Sequence, residues 1–116
     1  MKRLNRIARK ITAYDEAAEK FFKECEDSGM FSDYQITEIY EGVESDLTIE
    51  QIKVYANPKF KYTQMAVIRE GFEEGLTMDQ VKIYANPKFN WSEMREIKGA
   101  LEKGMSIDKV KEEYNI

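Results

Sequence analysis

The side chains in this sequence that could do chemistry are few, and their spacing suits binding better than catalysis. Histidine is absent, which removes imidazole acid–base catalysis, Ser-His-Asp and Cys-His nucleophilic sites, and imidazole metal ligation. Cys25 is the lone cysteine. No intramolecular disulfide can form, and a reducing compartment is the simplest home. One thiol without any imidazole makes no zinc site, and at an apolar helical position Cys25 reads as core. The carboxylates are too many for a catalytic pair to stand out, and no phosphate loop, dinucleotide fingerprint or calcium loop occurs. The expectation is a protein with no catalytic residues, no metal and no cofactor.

What remains is charge, and it is unevenly distributed. The net charge is −4, yet residues 1–13 carry five basic groups and no acid, residues 14–50 carry 12 acids against 2 bases, and residues 51–116 are near balance. The acidic block could dock on a basic groove of a protein partner, as a nucleic acid would. Complementary charge of that size speeds encounter and makes binding salt-sensitive. Glu38, Glu41, Glu44 and Asp46 are the candidate contacts; the plainer reading is ordinary solvated helix surface. The basic stripe of Lys2, Arg3, Arg6, Arg9 and Lys10 could instead hold nucleic acid. It lacks interleaved aromatics and runs straight into acids, so its footprint is poor. A third candidate is the hexapeptide Tyr-Ala-Asn-Pro-Lys-Phe, which stands unchanged at Tyr55–Phe60 and Tyr84–Phe89. Its Asn57, Lys59, Asn86 and Lys88 could line one edge as polar contacts. Alternatively Tyr and Phe pack while Asn-Pro turns the chain. Lys59 and Lys88 join the candidate partner contacts, because a turn needs no particular charge there.

These groups are positioned by an internal repeat. Leu47–Gly75 and Leu76–Gly104 align without gaps over 29 residues, with 14 identical positions. A unit so short cannot bury its own apolar face, so copies must pack on one another. Each copy holds two helix starts. Thr48 with Gln51, and Thr77 with Gln80, follow the capping-box pattern, and Leu47/Ile52 and Leu76/Val81 supply hydrophobic staples. Met105, Ser106 and Val110 repeat that frame for a last short helix. Asn57-Pro58 and Asn86-Pro87 stop the short helices, since proline cannot continue them and disfavours helical backbone at the Asn. A longer helix follows, capped by Asn90 with Glu93 in the second copy and poorly capped by Lys61 in the first. Gly75 and Gly104 end the longer helices in left-handed conformation.

Apolar spacing agrees with the caps. Met65, Ile68 and Phe72 recur at i, i+3 and i+7, as do Met94, Ile97 and Leu101, with Trp91 one turn earlier. Gly42, Gly71 and Ala100 share one repeat position inside the long helix. Glycine there costs roughly 1 kcal/mol relative to alanine, so a close helix–helix approach is expected to compensate. A degenerate earlier copy aligns Phe31, Gln35, Ile36 and Ile39 with Phe60, Gln64, Met65 and Ile68. The segment before it keeps helical spacing from Leu4 to Gly29, as one helix or as two with a bend near Thr12. Glu112 and Glu113 stand where the previous copy has Ile83 and Tyr84, which turns a packing face into a solvated one.

The expected architecture is therefore all-α: a small right-handed-type stack of helix-turn-helix repeats in one domain over 1–116. It divides into an N-terminal helical cap (1–29), a degenerate half repeat (30–46), two repeats (47–75 and 76–104) and a C-terminal capping helix (105–116). Hydrophobic residues at 42% and charged residues at 34% fit a soluble helical protein. No apolar run approaches the ~18 residues of a membrane span, and the basic start has no apolar region or cleavage site behind it, so neither a membrane nor export is expected.

At YANPKFNWSEMREIKGALEKGMSIDKVKEEY the chain resembles a repeat carried by proteins of gut Firmicutes and of their phages and mobile elements. Those units read roughly YANPKF-x-x-x-QM-x-x-IR-x-G-x-x-x-GL. The resemblance covers residues 31–116, strongly over 47–116, and leaves out the N-terminal helix. It implies a small helical module, alone or appended to larger proteins, with no established catalytic residues to carry over. It also implies the cytoplasm of a bacterial host as the setting. Small acidic proteins in that setting are often inhibitors of defence systems such as CRISPR nucleases, which is association rather than physics. The expected function is non-catalytic binding of a protein partner, in its sharpest form an anti-CRISPR-like inhibitor. The alternatives are a nucleic-acid-binding regulator using the basic N-terminal helix, and a structural module whose copies assemble with one another.

Overall fold

A computed structural model describes residues 13–116, with side chains from Glu16 onward. Over that range the chain is all-α: α1 (Ala13–Ser28), α2 (Asp33–Glu44), α3 (Ile49–Tyr55), α4 (Tyr62–Glu73), α5 (Met78–Tyr84), α6 (Trp91–Glu102) and α7 (Ile107–Tyr114). No strand occurs among the described residues. The basic stripe Lys2, Arg3, Arg6, Arg9 and Lys10, and the bend expected near Thr12, lie outside them.

Local chemistry sets these boundaries. Ser32, Thr48, Thr77 and Asn90 each accept the amide of the third residue on, while Gln35, Gln51, Gln80 and Glu93 return the favour to the cap's own N–H. Ser106 accepts from Lys109 in the same way. At the start of α4 only half of this survives: Gln64 Oε1 accepts the Lys61 N–H at 2.7 Å, and lysine has no acceptor to offer in exchange. Replacing Lys61 with Ser should therefore stabilise the fold by about 1 kcal/mol, the usual value of an N-cap side chain. Chemical denaturation reads this directly as a higher midpoint at unchanged slope.

The long helices close on a shared turn. Leu47, Leu76 and Met105 donate back to the carbonyls of Gly42, Gly71 and Ala100 at 3.0–3.1 Å. The residue before each donor is left-handed: Asp46 (φ 62°), Gly75 (φ 98°) and Gly104 (φ 99°). These are the six-to-one bonds of a Schellman ending. The glycines were expected in this role; Asp46 was not, and a short polar side chain is what lets a non-glycine stand there.

The hexapeptide is a turn in which each backbone N–H after the short helix has a partner. Ala56 and Ala85 sit at φ near −77° and ψ near 70°, and Asn57 and Asn86 donate to Tyr55 O and Tyr84 O at 2.8 Å, which makes two inverse γ-turns. Asn57 Oδ1 and Asn86 Oδ1 then accept from the Lys59 and Lys88 amides, and Phe60 and Phe89 close back on the Asn carbonyls. The Oδ1 of each asparagine is thus used by the turn itself.

Packing runs along the chain. α1 lies on α2 and α3; α4 packs against α2, α3, α5 and α6; α7 covers α5 and α6. The core holds Ile39, Ile52, Met65, Ile68, Val81, Met94, Ile97 and Val110, and each large aliphatic side chain taken out of water contributes about 1.5–3 kcal/mol. α1 adds Ala18, Phe22 and Cys25. Tyr55 and Tyr84 are fully buried and lie over Gly42 and Gly71, where a Cβ would overlap the phenol oxygen. The close approach expected at these glycines is thus made by a tyrosine from the following short helix. Glu112 and Glu113, which replace Ile83 and Tyr84 one repeat later, are exposed. With no tyrosine in that place, the helix position takes Ala100.

Candidate binding surface

Polar side chains that cross between helices recur 29 residues apart. Gln35 Nε2 donates to Pro58 O (3.2 Å) and Phe60 O (2.7 Å). Gln64 Nε2 donates to Pro87 O (3.1 Å) and Phe89 O (2.6 Å). Tyr55 Oη donates to Glu38 O and Tyr84 Oη to Val67 O; burial pushes both phenols far above the ordinary tyrosine pKa. A cation at the next matching position ties neighbouring long helices together. Arg69 reaches Glu38 at 3.1 Å and Glu73 at 2.8 Å, and Lys98 reaches Glu74 at 2.7 Å and Glu102 at 3.1 Å. Burial works against the Lys98 ammonium, but its two carboxylates together hold its pKa above the ordinary lysine value.

The residues expected to touch a partner include three acids of α2 and Asp46 in the turn after it. Glu38 is half-buried and held by Arg69; burial pushes its carboxyl above the ordinary value against the pull of that guanidinium. Glu41 and Glu44 are half-buried, and Asp46 is exposed at the helix end. Lys59 and Lys88 are exposed on the two hexapeptide turns, with Lys88 Nζ 5.1 Å from the Phe89 ring centre. Cys25 is buried, and burial, with help from Glu24, raises its pKa. A thiol so placed packs as a core side chain. Among the described residues no cluster of acids and Cys could hold a metal ion, and no helix is long and apolar enough to cross a membrane.

A second surface was not foreseen. Trp91, placed by its spacing on the apolar stripe of α6, is 50% exposed. Tyr62, at the same position of α4, is 45% exposed, and Tyr34 on α2 is 68% exposed. Tyr34 and Tyr62 stack with ring centres 5.0 Å apart, and Tyr62 and Trp91 border one shallow groove. Beside it lies a groove of about 220 Å³ lined by Lys59, Lys61, Thr63, Gln64, Pro87, Lys88, Asn90 and Trp91. No carboxylate is in that lining, and among the described residues none of its lysines is in an ion pair.

No protein-family model matches the chain, and neither a curated protein nor a solved structure matches it. The site must be judged on its own geometry. The signal that could have marked the aromatic row is positional. Tyr62 and Trp91 are the first residues of their helices, and no earlier turn of the same helix exists to cover them.

Proposed function

We propose that this chain is a non-catalytic binding module built as a small stack of helix-turn-helix units, and that its partner is another protein. One observation carries the reading: along the long helices, matching units keep their buried anchors and change most outward positions, while the exposed Asn57/Asn86 and Lys59/Lys88 of the turns stay the same. Tyr55/Tyr84, Met65/Met94 and Ile68/Ile97 are identical and buried. Lys61/Asn90, Ala66/Arg95, Glu70/Gly99 and Glu74/Lys103 differ in charge or size and are exposed or half-buried. A stack that holds its packing constant while its outer face varies is how repeat proteins build recognition surfaces. The repeated Gln and Tyr cross-links support the stacking itself, since they join each unit to the next by the same bonds.

In its sharpest form the module is an inhibitor that sets its acidic side into a basic, nucleic-acid-holding groove of a bacterial defence protein. Asp46, exposed after the end of α2, and the half-buried Glu41 and Glu44 are the acids to test; Glu38 is kept because it holds Arg69 inside the fold. The triple change Glu41→Gln, Glu44→Gln and Asp46→Asn removes three charges with little change of shape. Affinity purification from a bacterial host at physiological salt should lose the captured protein with this variant while its helical circular dichroism stays. Undiminished capture would reject acidic docking.

A further inference from the structure

We propose that the lysine-lined groove at the starts of α4 and α6 binds single-stranded nucleic acid, with Trp91 as the platform on which a base stacks and Lys59, Lys61 and Lys88 as contacts to phosphates. The lining holds these three lysines and no acid, which is unusual on a chain of net charge −4. A cation cluster without counter-charges is an anion site by complementarity, and lysine ammoniums act there as point charges that read no sequence.

The aromatic row decides which anion. Acidic peptides would satisfy the lysines, yet they have no use for half-exposed rings. A single strand alternates a phosphate with a planar base, and bases stack on aromatic side chains irrespective of sequence. Trp91 stands in the lysine groove, and Tyr62, already stacked on Tyr34, borders an adjoining groove whose lining also holds Glu38, Glu70 and Arg95, so the phosphates belong on the lysine side of Trp91. Lys61 adds an independent argument. It occupies an N-cap position where the matching residues are Ser32 and Asn90, so the chain forgoes a better cap and keeps a cation facing this groove. Local choices that cost stability without a structural return are expected at functional positions. The lysine groove contains none of Glu41, Glu44 and Asp46, so the variant that tests acidic docking leaves this site unchanged.

Trp91 is the only tryptophan, so its fluorescence reports on the groove alone. Titrating the full chain with a dT12 oligonucleotide at 50 mM NaCl should quench it. Three phosphate contacts give a salt slope of about −2 on logarithmic axes, hence roughly 20-fold weaker binding at 200 mM. The combined Lys59→Ala, Lys61→Ser, Lys88→Ala variant should lose most of both the affinity and that slope, while its thermal midpoint rises by about 4 °C through the N-cap gained at position 61. Trp91→Ala, followed by anisotropy of a labelled dT12, should bind about 10-fold or more weakly. A 12-base-pair duplex, whose bases are already stacked, should bind less well than the single strand. The proposal is overturned by an absence of quenching at 50 mM NaCl, by equal binding of the duplex, or by poly-glutamate quenching as well as dT12. Binding that survives the lysine variant but vanishes when Lys2, Arg3, Arg6, Arg9 and Lys10 are changed to Gln also overturns it and moves the site to the N-terminus.

Discussion

Gly71→Ala should destabilise the protein by about 2 kcal/mol, although alanine is the better helix former by roughly 1 kcal/mol. The added Cβ would overlap Tyr84 Oη and sit 3.3 Å from Cζ of the same ring. Tyr84 is fully buried, so the ring has no free space to swing into, and moving it gives up its contact with Val67 O. Overpacking of this kind ordinarily costs 1–3 kcal/mol. A double-mutant cycle with Tyr84→Phe separates the clash from a general intolerance of alanine. Without the phenol oxygen the nearest ring carbon is at a tight but tolerable distance, so the pair should be more stable than the two single effects predict by about 1 kcal/mol or more. Additive effects in urea unfolding would show that the oxygen is not what demands glycine. Ala100, at the matching position of α6, is the natural control, because Glu113 replaces the tyrosine there.

That glycine–tyrosine pair marks how far the sequence could be read. The position was legible as one that excludes a side chain, because three long helices carry Gly, Gly and Ala in register. The occupant was not, because a ring arriving from 13 residues further on needs the path of the intervening turn. Helix starts were legible for a local reason: a capping box involves side chains only three residues apart. Asp46 escaped because the left-handed position is assigned by looking for glycine. Trp91 was misplaced because the spacing from Met94 to Leu101 extends back to it arithmetically. The first residue of α6 has no preceding turn to lie against, and so it stays half-exposed. Glu38 was counted with the surface acids, since its pairing with Arg69 joins residues 31 apart and depends on the register of two helices. In each case what acts within one turn of helix was readable, and what depends on neighbouring helices was not.

Gln64 shows the same division within a single side chain, and it gives the second large prediction. Its Oε1 completes a local cap, which the pattern revealed; its Nε2 donates to Pro87 O and Phe89 O on the next turn of chain, which the pattern could not reveal. Gln64→Glu keeps the first role and destroys the second. A buried carboxylate then faces two carbonyl oxygens, and the loss should be about 3 kcal/mol, combining the missing bonds with the desolvation of groups left unpaired. For a domain of this size that lowers the melting midpoint by roughly 12 °C. The pH dependence has a definite sign. Burial against carbonyl dipoles raises the folded-state pKa of the introduced carboxyl above its unfolded value of about 4.3. The penalty is therefore fully present above the folded-state pKa and is relieved as pH falls through it, when the protonated acid can donate again. The difference from the parent chain should shrink between neutral pH and pH 4, and a difference that stays constant over that range would rule out the buried carboxylate as its cause. Glu93 already carries a carboxylate at this position of α6. It is exposed, and Glu113 and Ile116 stand where a third hexapeptide would place its Tyr and Pro, so Glu93→Gln should change stability by less than about 0.5 kcal/mol. An amide where another turn follows and an acid where none does is what a donor used only between units requires.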